Sequence, residues 1–143
     1  MRIMASHDHR SQPGRADWFT GTVWLDEIAV GEPPSNLRVH SVTFQPGART
    51  AWHTHPLGQV LHVVSGVGRV QRAGGSVREV RPGDTVWIAP GERHWHGASP
   101  DRVFMHIAVQ EATADGEEAS WLEHVTDEEY NLPPERGTDG GAA

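Results

Sequence analysis

The chain has 143 residues, 36% of them hydrophobic and 22% charged, and it contains no cysteine and no lysine, so all 12 cationic side chains are arginine. Those absences exclude a thiolate nucleophile, a thiolate metal site, a disulfide framework and any lysine Schiff base. The net charge of -7 argues against a nucleic-acid partner, which needs a basic stripe to offset phosphate. In chain order, residues 1–15 read as a polar, disordered tail, with no apolar run of signal-peptide length. A pair of strands is expected within 17–28. Short alternating runs then predict strands at 39–44, 60–64, 68–72, 76–80, 85–89 and 102–109. Gly74-Gly75, Pro82-Gly83 and Pro90-Gly91 supply the turns between several of them. Residues 117–130 have helical character but are too acidic for a core helix, and 131–143 read as a second disordered tail. This pattern predicts one all-β domain over 16–130, an antiparallel sandwich or barrel with a short C-terminal helical segment. No stretch approaches the ~18 apolar residues of a membrane span, and the expected location is the cytoplasm.

Ten histidines concentrate the available chemistry in imidazole. His-x-His occurs as His7/His9, His53/His55 and His94/His96. Chance gives about 0.7 such pairs at this composition, so only context separates them. His7 and His9 lie in the N-terminal tail. Within a strand, residues i and i+2 share a face, so His53 and His55 can enter one cavity, as can His94 and His96. On the 102–109 strand, Phe104, His106, Ala108 and Gln110 share a face. His40, Val42 and Phe44 do so on theirs. Met105, Ile107 and Val109 make the opposite face of the 102–109 strand, so alternation alone leaves open which side looks inward, and His40, His96 and His106 are open candidates for a pocket. His62 is out of phase with Leu61 and Val63 and faces outward, and His124 is assigned a structural role.

The spacing around these pairs carries a resemblance. Gly47, His53, His55, Gln59 and Gly66 follow G-x(5)-H-x-H-x(3)-E-x(6)-G, and Gly83, Gly91 and His94 follow G-x(5)-P-x-G-x(2)-H-x(3)-N. These are the two motifs of the cupin superfamily, with Gln59, Ala89 and Ala98 standing where the motifs have Glu, Pro and Asn. The resemblance implies a double-stranded β-helix, or jelly-roll barrel. It also makes His53, His55, Gln59 and His94 the ligands of a divalent metal. An amide in place of a carboxylate leaves the metal charge uncompensated by any ligand. That favours Lewis-acid or anion-binding chemistry over oxygen activation.

Residues 16–23, 44–59, 91–98 and 123–130 further resemble the small bacterial manganese-dependent hydroxynitrile lyases of cupin fold, in which glutamine is the expected residue at position 59. The implied reaction is reversible cleavage of a cyanohydrin to an aldehyde or ketone and hydrogen cyanide. On this resemblance the metal stabilises the departing anion and His106 transfers the proton, with His40 or His96 assisting. Thr50, Val42 and Gln110 contact the substrate. Manganese is the expected metal, although three imidazoles and an amide also accept Fe, Co, Ni or Zn. The expected partner is a small-molecule substrate, with no nucleic acid and no membrane, and the expected assembly is a homodimer or homotetramer. The competing readings are a metal-dependent cupin dioxygenase or other oxidoreductase, and a non-catalytic cupin that captures a small ligand.

Overall fold

The structure, a computed structural model, describes residues 1–136. Two antiparallel sheets face each other, as expected of alternating strands that each bury one side. The first holds β1 (Ser11–Pro13), β3 (Val23–Val30), β4 (Leu37–Phe44), β7 (Gln59–Gly66), β10 (Thr85–Ile88) and β12 (Phe104–Glu111) in the order β1-β3-β4-β12-β7-β10. The second runs β13-β6-β11-β5-β2, made of β13 (Ser120–Trp121), β6 (His53–Thr54), β11 (His94–Ala98), β5 (Arg49–Thr50) and β2 (Phe19–Thr20). Off β11 hangs the hairpin of β8 (Gly68–Arg72) and β9 (Arg78–Val80).

The alternation read from the sequence is the alternation that folds. Along β12, Phe104, His106, Ala108 and Gln110 are buried while Met105, Ile107 and Val109 are half-buried on the opposite face. Phe44, Leu61, Val63, Phe104 and Ala108 form the centre of the main core, with Phe44 and Phe104 stacked at 5.8 Å. Between Met105 and His106 the β12–β7 register slips, so exposed Val64 has no partner and β7 bends beside the buried histidine. Gly66, the last glycine of the first motif, has φ +81°, and a Cβ there would sit 1.8 Å from the Val103 carbonyl oxygen. Only glycine fits that crossing.

Three expectations require correction. Residues 1–15 are not simply a disordered tail: Ser11–Pro13 pairs with β3, and His9 Nδ1 donates to the Glu27 carbonyl. Proline is accommodated because β1 is an edge strand with one neighbour. Residues 117–130 are mostly without regular structure, with Ser120–Trp121 added to β6 and the helix α1 confined to Asp127–Tyr130. The Thr126 hydroxyl caps that helix by accepting from Glu129 N, and Tyr130 anchors it by donating to the Ala98 carbonyl. At the C-terminus, Glu135 bridges Arg78 and exchanges backbone hydrogen bonds with Val77 and Glu79, so 131–136 pack on the body. The rest of the expected tail, 137–143, lies outside the described residues. No helix among the described residues is long and apolar enough to cross a membrane.

Candidate metal centre and cavity

Strand register assembles the site. Direct pairing of β6 with β11 sets His53 opposite His94, and the alternation of β11 puts His96 on the face of His94, with ring centroids 5.7 Å apart. On the facing sheet, His106 lies opposite Val42, Ala108 opposite His40, and Gln110 between Gln59 and Arg38. Nine of the ten residues singled out from the sequence, all but His94, line one cavity of about 430 Å³. Eight of the ten are also nearly fully buried, Val42, Thr50, His53, His55, Gln59, His94, His96 and His106. His40 is half-buried at the wall. His62 is exposed, as its phase requires, and donates to or accepts from the Thr85 hydroxyl. His124 is exposed too, and among the described residues it makes a 3.5 Å approach to the Thr20 hydroxyl.

Each of three histidines is oriented by a main-chain oxygen. His53 Nδ1 lies 2.9 Å from the Ala51 carbonyl, His55 Nδ1 2.6 Å from that of Glu118, and His94 Nδ1 2.8 Å from that of Glu92. A carbonyl only accepts, so Nδ1 carries the proton in all three, and each Nε2 is left as a bare lone pair. His55 Nε2 is buried with no hydrogen-bond partner. His94 Nε2 faces Gln59 Oε1 at 3.4 Å. Two acceptors at that separation, with no proton to share, are what a cation would bind between. The donor set therefore fits a metal: neutral imidazole lone pairs and an amide oxygen, each fixed from behind.

The electrostatics agree. Burial, then the neighbouring His94 and His55, pushes His53 well below the usual imidazole range. Burial pulls His94 down to about 4 and lowers His55 as well. All three are neutral at pH 7, the form in which imidazole ligates.

The closest convergence of ring nitrogens is His53, His94 and His96, within 4.8 Å of one another. His96 thus belongs to the nitrogen cluster, while the His55 ring, just beyond the end of β6, lies 5.0 Å from that of His53 and 5.5 Å from that of His94. His96 is also half of a pair. His106 Nε2 lies 3.1 Å from His96 Nδ1, and both rings are driven far below the usual range, His106 to about 3, with burial the leading cause. Phe44 and Phe104 pack on His106 at 5.5 and 5.3 Å.

Thr50 Oγ1 accepts from the backbone N–H of His96 at 3.2 Å. Gln110, expected to orient a substrate, has both ends of its amide engaged by protein groups: Oε1 accepts from Gln59 Nε2 and Nε2 donates to Glu118 Oε1. The sequence reading missed the rest of the wall. Trp121 stacks on His53 at 4.5 Å and on Trp18 at 5.0 Å, and Glu117 and Glu118 close one side. The segment 117–121, which follows a turn at 113–117 and ends in β13, delivers three of these four, and a helical reading of 117–130 hid it.

A family model described as a cupin domain matches residues 40–109, the stretch that carries both histidine motifs. The (R)-mandelonitrile lyase of Granulicella tundricola is 54% identical over 130 residues, covering 91% of this chain and 98% of the relative. The chain belongs to the cupin family. A cupin-like protein from Thermotoga maritima superposes on this cupin with a TM-score of 0.77 at 43% identity, over 85% of this chain and 91% of that one. The polyketide cyclase of Streptomyces resistomycificus shares the fold alone, with a TM-score of 0.70 at 17% identity over 91% and 90% of the two chains.

Proposed function

We propose that this cupin is a metal-dependent hydroxynitrile lyase that reversibly cleaves a cyanohydrin to an aldehyde or ketone and hydrogen cyanide. The observation that carries the reading is a cavity where neutral imidazoles and one amide converge without a carboxylate among them, beside a buried histidine pair. The 54% identity to a (R)-mandelonitrile lyase supports it. Bound there, a divalent ion supplies a positive centre for the anion that leaves, with no ligand charge to offset it.

The chain's own groups account for the proton and for orientation. The cyanohydrin hydroxyl must lose its proton as the C–O bond becomes a carbonyl and the C–C bond to the nitrile breaks, its electron pair leaving with cyanide. The resemblance assigns that proton to His106, with His40 or His96 assisting, and the 3.1 Å contact between His106 and His96 makes those two one unit. With His96 Nδ1–H donating to His106 Nε2, His96 Nε2 is left to take the hydroxyl proton, and His106 steadies the imidazolium that results. The same nitrogen returns the proton to cyanide. Thr50 Oγ1 already accepts from His96 N, so its own O–H is directed elsewhere, and the substrate oxygen is the acceptor assigned to it. Val42, with Ala108 and Leu25, forms the apolar wall for the substrate's carbon side, and His40 opens on the same space.

The proposal includes manganese as the resident ion, a homodimer or homotetramer, and a cytoplasmic location. Mandelonitrile cleavage, followed as benzaldehyde release by metal-free and Mn²⁺-reconstituted protein, tests it. Activity is expected only after reconstitution. Full turnover in the metal-free protein, or oxygen consumption with no cyanide released, overturns the lyase reading.

A further inference from the structure

We propose that Glu118 is a positioning residue that sets the polarity of the Gln59 amide through Gln110, so that Gln59 presents its oxygen, not its NH2, to the histidine cluster. The inference rests on the reading that this cluster holds a divalent metal. A carboxylate has only acceptors, and an amide has a donor at one end and an acceptor at the other. Gln110 Nε2 donates to Glu118 Oε1 at 2.9 Å, which turns Gln110 Oε1 toward β7. There it accepts from Gln59 Nε2 at 2.8 Å, and Gln59 Oε1 is left facing His94 Nε2. Each orientation is thus dictated by the one before it, and the series starts at the acceptor-only group.

The arrangement is built into the fold. Gln110 lies directly opposite Gln59 on β7 and opposite Arg38 on β4, so the three form one row across the sheet. Arg38 Nε lies 3.6 Å from Glu118 Oε2 and holds the carboxylate over that row. The main chain of the same residue fixes His55, whose Nδ1 donates to the Glu118 carbonyl. One residue therefore aims two of the expected ligands, Gln59 by its side chain and His55 by its backbone. Were the amide chain free to run the other way, Gln59 would turn its NH2 to His94 Nε2. That ordinary hydrogen bond would occupy the lone pair a metal needs.

The test is calorimetric titration of Co²⁺ into the metal-free full-length protein, with the visible d–d spectrum of bound Co²⁺ as a second readout. Glu118→Gln keeps the shape and removes the direction. It is expected to weaken Co²⁺ binding about 10–100-fold and to alter the spectrum, while the melting curve of the metal-free protein stays in place. Gln59→Glu puts an acceptor-only group at both ends of Gln110, which can serve only one well. Adding Glu118→Gln to it lets the chain reverse, so the double variant should bind Co²⁺ about tenfold more tightly than the two single effects multiplied together. Wild-type affinity in Glu118→Gln, or single effects that multiply without coupling, overturns the role of Glu118 and leaves the metal reading standing. No Co²⁺ uptake by the unsubstituted chain removes both.

Discussion

His53, His55 and His94 are each tied through Nδ1 to a main-chain carbonyl, whereas His96 and His106 are tied to each other. All five rings are buried and all five are held below their ordinary pKa. The difference lies in what stands behind them. A carbonyl fixes one tautomer and leaves a permanent lone pair in front, which suits a ligand. A second imidazole can give or take the shared proton, so the pair has two arrangements of similar hydrogen bonding, which suits proton transfer. Neighbouring residues of one strand, His94 and His96, thus fall on opposite sides of that division. Their partners decide it, since their burial and strand face are the same.

The largest effect expected on this comparison comes from emptying the carbonyl-anchored group. Chelation, or His94→Ala, should lower mandelonitrile turnover by about 10³-fold or more, since metal polarisation contributes several kcal/mol to the barrier. The measurement is activity against metal content, and full activity at zero metal would break the distinction at once. The mutually anchored pair should respond differently. His106→Phe fits the space between Phe44 and Phe104 but has no nitrogen to offer His96. Turnover should fall about 10²-fold or more with metal stoichiometry unchanged, because His96 loses the partner that orients it and steadies its imidazolium while the ligands stay in place. If metal content falls in step with turnover, the pair is part of the ligand shell and not a separate proton unit.

Much of this was legible in the sequence because strand alternation is local. Once β12 is read as a strand, His106 and Gln110 must share a face, and β11 does the same for His94 and His96. Nine of the ten residues singled out line the cavity for that reason. What could not be read was set by register between strands far apart in the chain. Nothing local says that Gln110 faces Gln59 rather than the substrate, or that His106 meets His96. Trp18 and Trp121 stack across about a hundred residues, and Trp121 reaches His53 because β13 pairs with β6 in that register. Acidic residues in that segment suggested an exposed helix, yet Glu118 works mainly through its carbonyl and one carboxylate oxygen at the cavity edge.

Acid should expose the burial that both groups share. An unfolded imidazole gains its proton near 6.5, whereas His94 in the fold does so only near 4 and His106 only near 3. Between those values the unfolded chain binds more protons, so the stability of the metal-free protein falls as pH drops from about 6.5 toward 4. His94 alone accounts for about 3 kcal/mol of that loss. Urea midpoints at pH 7, 5.5 and 4.5 measure it. A midpoint that stays flat across the window would mean that these imidazoles are not held neutral by the fold.

The smallest effect expected concerns the hydroxyl that links the cluster to the substrate. Thr50 Oγ1 is buried and accepts from His96 N, which leaves its proton free to meet the substrate oxygen. Thr50→Val keeps the shape and removes both interactions. The stranded His96 N–H should cost about 1–3 kcal/mol of stability, and the missing donor about tenfold in kcat/KM. Thr50→Ser restores both groups and should recover most of each loss, so the pair of variants separates hydrogen bonding from packing. Lower stability with unchanged kcat/KM in Thr50→Val would confine Thr50 to bracing the His96 backbone, and substrate orientation would then fall to another polar group on the same cavity, such as His40.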